Sequence, residues 1–118
     1  MAQHNPFVAS FGHALRGIAV ASRGRNFRLM SGTALVVVAL GAVYAVSGRD
    51  WAILLLCIGA VLSAEMANTA VERLADVVQP EPHPAIRDVK DVAAGAVLLL
   101  SIAAAAIGVL VFWPYVTR

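Results

Sequence analysis

Charge is scarce in this chain: only 14% of its 118 residues are Asp, Glu, Lys or Arg. A soluble domain carries roughly 25%, so the deficit leans away from a water-soluble globule. Cysteine is nearly absent. Cys57 stands alone, which excludes a disulfide framework and a cysteine metal site. No Walker sequence and no kinase-type glycine loop occurs, so the common glycine-loop phosphate cradles are excluded. The chain has no internal repeat, and its one biased tract is an alanine-rich run near the carboxyl end. The positive excess is only +2. Its basic residues gather beside apolar segments, where a bilayer explains them without nucleic acid.

What the chain does have is apolar length. It is 60% hydrophobic. Leu29–Ser47 and Val92–Trp113 contain no charged side chain, and an uncharged run from Trp51 to Ala64 continues its helical pattern through Glu65 to Val78. A spanning helix needs about 20 residues. A single 118-residue domain has too much surface to bury helices that are apolar all round. The expected fold is therefore an all-α membrane protein, one domain over 1–118. An amino-terminal amphipathic surface helix at about 5–23 precedes three transmembrane helices at about 29–47, 51–78 and 87–113. The segment before Leu29 is too long for an ordinary signal-peptide n-region, so the first span stays in the mature protein.

Asn5-Pro6 is a cap and first-turn pair. Phe7, Phe11, Leu15 and Ile18 then recur at three- and four-residue steps, the pattern of a helix lying in the interface plane. A polar hinge follows at 22–26, then a short turn at 47–50. Three prolines in residues 79–84 forbid a continuous helix between the second and third spans; a new helix is expected near Ile86, and Pro114 marks its far end. Arg16, Arg23, Arg25 and Arg28 precede the first span, and Arg73, Arg87 and Lys90 surround the second loop. The positive-inside rule sets the amino end and this loop in the cytoplasm, with the carboxyl end outside.

The chemistry concentrates in residues 63–78. At about 100° per residue, Glu65, Glu72 and Asp76 share nearly one azimuth, with Asn68 and Thr69 to either side. One intramembrane carboxylate costs roughly 2.5–3.5 kcal/mol even on a lenient scale. Polar packing between helices explains some such residues, and Asp76 near a helix end can simply be solvated. Two or three carboxylates at the cytoplasmic half of a helix also suit Mg2+ shared with phosphate oxygens. A carboxylate nearer the bilayer suits proton abstraction from a lipid alcohol. Arg87 and Lys90 can neutralise phosphate, and Asp91 adds a contact. Phosphoryl transfer to a membrane alcohol uses all of these groups. A proton-coupled carrier or small channel uses them too, and the residues alone leave both open.

The motifs decide further. Glu65-Met66-Ala67-Asn68-Thr69-Ala70-Val71-Glu72 followed by Asp76, together with HPAIRDVKDVAAGAVLL from His83, resembles the small prokaryotic membrane lipid kinases, the diacylglycerol and undecaprenol kinases. FGHALRGI, with Arg16, and NFRLM resemble that family's surface helix and the opening of its first span. The resemblance covers nearly the whole chain. It implies a homotrimer in the cell inner (cytoplasmic) membrane that moves the γ-phosphoryl group of MgATP to a lipid hydroxyl. It implies Glu65 as general base, Asn68 as its support, Glu72 as metal ligand, and Arg16, Asp76, Arg87, Lys90 and Asp91 toward the nucleotide. One departure matters: the family's second metal-binding glutamate is replaced by Gly24, between Arg23 and Arg25. The Asn-Thr-Ala, His-Pro and Asn-Phe-Arg blocks favour undecaprenol over diacylglycerol. A degenerate, non-catalytic lipid-binding member is the reading that Gly24 favours.

Overall fold

A computed structural model describes residues 5–118. Four helices follow in chain order: α1 (Pro6–Ala21), α2 (Arg25–Val43), α3 (Gly48–Val78) and α4 (Pro84–Val116). The last three are each long and apolar enough to cross a membrane. The fold is one surface helix plus three transmembrane helices.

Each helix boundary has a local cause. Asn5 caps α1 by accepting from the Phe7 amide at 3.0 Å, with Pro6 in the first turn. Ser22 and Arg23 close the last turn of α1 through backbone bonds to Ile18 and Val20, and Gly24 then turns to extended backbone and opens α2. The Arg28 guanidinium reaches back to the Ser22 carbonyl at 2.8 Å and braces this hinge.

The first apolar run was expected to stay helical to Ser47, but α2 stops at Val43. Ala45 takes a φ of 50°, the Val46 amide bonds to the Gly41 carbonyl, and the Ala45 amide bonds to Ala42. These are the paired bonds of a Schellman ending with alanine in the left-handed position. Uncharged sequence hides such an ending, because alanine is an ordinary helix former. Ser47 then caps α3, accepting from the Asp50 amide at 3.1 Å.

The fourth helix begins two residues before Ile86, with Pro84 in the first turn and the His83 Nδ1 accepting from the Ala85 amide at 3.1 Å. Pro114 does not end it. The helix continues to Val116, since one missing amide is tolerable one turn from the terminus.

The molecule is a slab of 54 × 48 × 19 Å. The antiparallel pair α3–α4 is its main contact, α2 lies along α3, and α1 meets α3. Two polar links pin α3 to α4. At one end the Lys90 ammonium donates to Asp76 at 2.6 Å. At the other the Tyr115 hydroxyl donates to Asp50 at 2.5 Å and accepts from the Ser47 amide at 3.0 Å. On the α2 side, the Trp51 indole fills the space over Gly41, where a Cβ would stand 2.7 Å from its ring. Few apolar side chains are buried: Ala21, Phe27, Val46, Leu54, Ala75, Val97 and Val111. The remaining apolar surface is what a lipid environment would cover.

Candidate active site

Glu65 and Asn68 are the buried polar side chains of α3, 6% and 7% exposed. Both stand on the helix face that also buries Leu54, so the carboxylate and amide are held by the packing of α3 rather than by a loop. Glu72, two turns beyond Glu65, is exposed, and the Asn68 side-chain amide approaches its Oε1 at 3.5 Å. Thr69 donates to the Glu65 backbone carbonyl at 3.1 Å, leaving the Glu65 carboxylate to its own face. Asp76 ends this line in its ion pair with Lys90, Asp76 exposed and Lys90 half-buried.

The remaining candidates lie apart from this line. Arg87 and Asp91 form a loose pair at 4.0 Å on an exposed face of α4, one turn apart. Arg16 lies exposed on α1 and forms no ion pair among the described residues. Gly24 sits at the cap of α2, where a Cβ would meet the Ala21 carbonyl oxygen at 3.3 Å.

Among the described residues two side-chain polar atoms are buried without a partner: Asn68 Oδ1 and Ser101 Oγ. The first is a hard oxygen on the side chain whose amide nitrogen meets Glu72. Magnesium takes one or two carboxylates and completes its shell with phosphate and water oxygens. The Glu72 carboxylate and orphaned Asn68 carbonyl therefore fit such an ion by donor chemistry. Among the described residues no three His, Cys, Asp or Glu side chains gather into a closed metal cage. Ser101 carries no signal in the sequence. It is one serine in a small-residue span, and only the packing reveals that its hydroxyl is enclosed.

Over residues 12–112 the chain matches the family described as prokaryotic diacylglycerol kinase. It belongs to that family. An undecaprenol kinase of Bacillus subtilis is 39% identical over 111 residues, covering 93% of this chain and 90% of that protein. A diacylglycerol kinase of Synechocystis sp. is 35% identical over 103 residues, 86% of this chain but 59% of that protein. The chain thus spans less than two thirds of the second relative. In this member of a family of lipid kinases the carboxylate line lies on a helix long and apolar enough to span the membrane. The family match includes Arg16, Gly24, Ser101 and every carboxylate of the line.

Proposed function

We propose that the protein is an ATP- and magnesium-dependent lipid kinase, working at the cytoplasmic surface of the cell inner membrane, with undecaprenol preferred over diacylglycerol. The observation that carries this reading is the line Glu65–Asn68–Glu72, running from buried to solvated along α3 toward the Asp76–Lys90 pair. A lipid alcohol arrives from the membrane and ATP from water, and this line connects the two phases. The 39% identity to an undecaprenol kinase across nearly the full length of both chains supports the choice of polyprenol.

In this reading Glu65 accepts the proton of the lipid hydroxyl as its oxygen bonds to the γ-phosphorus, the bond to the β-phosphate oxygen breaks, and ADP leaves. Burial fixes Glu65 at the depth of the reacting alcohol and keeps water from competing for phosphate. Asn68 holds Glu72 in place through its amide. Glu72 and the Asn68 carbonyl would hold the magnesium ion, which would neutralise phosphate charge when bound. Lys90 exchanges its pairing with the exposed Asp76 for phosphate oxygens, a cheap exchange because a pair with one solvated partner is worth about 1 kcal/mol. Arg16, Arg87 and Asp91 lie toward the nucleotide.

Labelled ATP offered to purified protein in vesicles, with undecaprenol or diacylglycerol, tests the reading. Transfer to undecaprenol at the higher kcat/KM is expected. Transfer to diacylglycerol alone would remove the polyprenol assignment and keep the kinase. Gly24 favours one rival, a degenerate member that binds lipid without phosphorylating it. Lipid binding with no transfer to either alcohol would establish that rival.

A further inference from the structure

Residues 1–49 contain five arginines and no Asp or Glu. Two of the five, Arg23 and Arg25, flank Gly24 at the hinge between α1 and α2, and both are exposed. Arg28 is already engaged, its guanidinium on the Ser22 carbonyl at 2.8 Å. Arg23 and Arg25 form no ion pair among the described residues. Gly24 opens α2 without a side-chain cap, and the first turn of α2 carries no acid. Two cations at a helix start oppose the macrodipole. The pair therefore stands at a cost that an anion from outside the chain would offset.

The register of α2 against α3 gives the depth of this pair. The Trp51 indole packs over Gly41 and fixes the two helices side by side, running antiparallel across a short turn. Arg25 lies sixteen residues before Gly41, and Ala67 lies sixteen after Trp51. Equal helical rise puts Arg25 level with Ala67 and Asn68, about 7.5 Å short of Glu72 along α3. Ala21 and Phe27, on either side of the hinge, are buried, and α1 meets α3. The hinge is thus held against the helices at the depth where the line Glu65–Asn68–Glu72 passes from buried to solvated.

We infer that Arg23 and Arg25 form a phosphate clamp that binds the terminal phosphates of the nucleotide. The inference rests on the lipid kinase reading and adds two residues to its nucleotide site. A triphosphate carries more negative charge than one magnesium ion cancels, and Glu72 is the one solvated carboxylate of the proposed metal site. Guanidinium is the side chain suited to supply the rest, because its planar fork meets two phosphate oxygens at once. Arginines beside a span also hold anionic lipid headgroups, which offer the same oxygens. The level near Glu72 favours the nucleotide: a phosphate there meets the guanidiniums beside a carboxylate suited to share a metal with it.

The test titrates purified full-length protein, in neutral detergent micelles, with fluorescent analogues of ATP, ADP and AMP. Each titration is run with magnesium and again with EDTA. The ATP analogue should bind even in EDTA, where no metal assists. Arg23→Gln combined with Arg25→Gln should raise that Kd roughly tenfold, the loss of charge-assisted hydrogen bonds. The ADP analogue should weaken too, and the AMP analogue should not. Arg23→Lys with Arg25→Lys should recover only part of the loss, since a point charge lacks the fork. Glu72→Gln should leave binding in EDTA unchanged, because it acts through the metal. Gly24→Glu should weaken binding in EDTA by pairing with the guanidiniums, and Gly24→Gln should not. Arg49→Gln, exposed at the start of α3, is the neutral control, and circular dichroism confirms that each variant keeps its helices. An unchanged Kd in the double Gln variant, or an equal loss for AMP, overturns the inference while leaving the kinase standing. So does a double variant that keeps its nucleotide affinity and instead loses anionic phospholipid retained from mixed micelles. Arginine-dependent ATP binding without phosphorylation of any lipid defeats the kinase reading and keeps the clamp.

Discussion

A carboxylate in the hydrocarbon region is expensive, and Glu65 is buried with no cation beside it among the described residues. If it is the proton acceptor, Glu65→Gln keeps shape and hydrogen-bonding capacity while removing basicity. Turnover should then fall roughly 10²–10⁴-fold, with MgATP binding retained in a fluorescence titration; full activity in the folded variant would make the residue structural. Glu72→Gln should instead act through the ion and abolish magnesium-dependent transfer. Gly24 offers the converse experiment. Gly24→Glu should lower the magnesium concentration for half-maximal rate, whereas Gly24→Gln should not. Both variants crowd the Ala21 carbonyl equally, at 3.3 Å from the new Cβ, so their difference isolates charge. The shared face of Glu65, Glu72 and Asp76 is legible in the sequence, because helical spacing is a matter of counting. The pairing of Asp76 with Lys90 is not, since it depends on the register between α3 and α4. Ser101 was equally illegible: a hydroxyl is ordinary until packing strands it.

At the scale of elements, composition identifies three spans, and the details lie in their ends. Alanine at a φ of 50° ends α2 where glycine is the usual choice. Left-handed backbone costs a Cβ-bearing residue roughly 1–2 kcal/mol, so Ala45→Gly should raise stability against unfolding in mild detergent by about 1 kcal/mol; no gain would show that the turn relaxes by other means. The tight turn matters beyond its own residues. It delivers Ser47 and Asp50 to Tyr115, and so fixes the depth at which α3 runs beside α4. Tyr115→Phe should cost roughly 0.5–1.5 kcal/mol by removing hydrogen bonds whose partners water can still reach, and urea titration of the purified protein would read it. The end of α2 was missed from sequence because nothing polar marks it. The start of α4 near Ile86 is legible because the prolines of residues 79–84 interrupt the chain; the His83 cap that sets it at Pro84 is visible only in the structure.

For the whole molecule, the open question is what covers so thin a slab. Lipid can cover its apolar faces, but in the proposed reading one copy carries a single solvated carboxylate for the metal, Glu72, with Gly24 where the family resemblance implies a second. An assembly is therefore expected, a trimer by family resemblance, and α4 is the element best suited to close approach. Gly95 lies exposed on α4 with open space where a Cβ would project, and small residues let membrane helices pack backbone to backbone. A leucine there meets nothing within its own chain, so Gly95→Leu should leave each copy folded while holding copies apart. Native mass spectrometry in mild detergent should record about three 12.3 kDa chains for the unaltered protein and a shift toward one chain for Gly95→Leu. Circular dichroism must stay the same, which separates a lost interface from a lost fold. If the variant assembles as before, the contact between copies lies on another helix. If the unaltered protein is itself monomeric with its helices intact, each copy must work alone, and Glu72 with Asn68 must suffice for the ion.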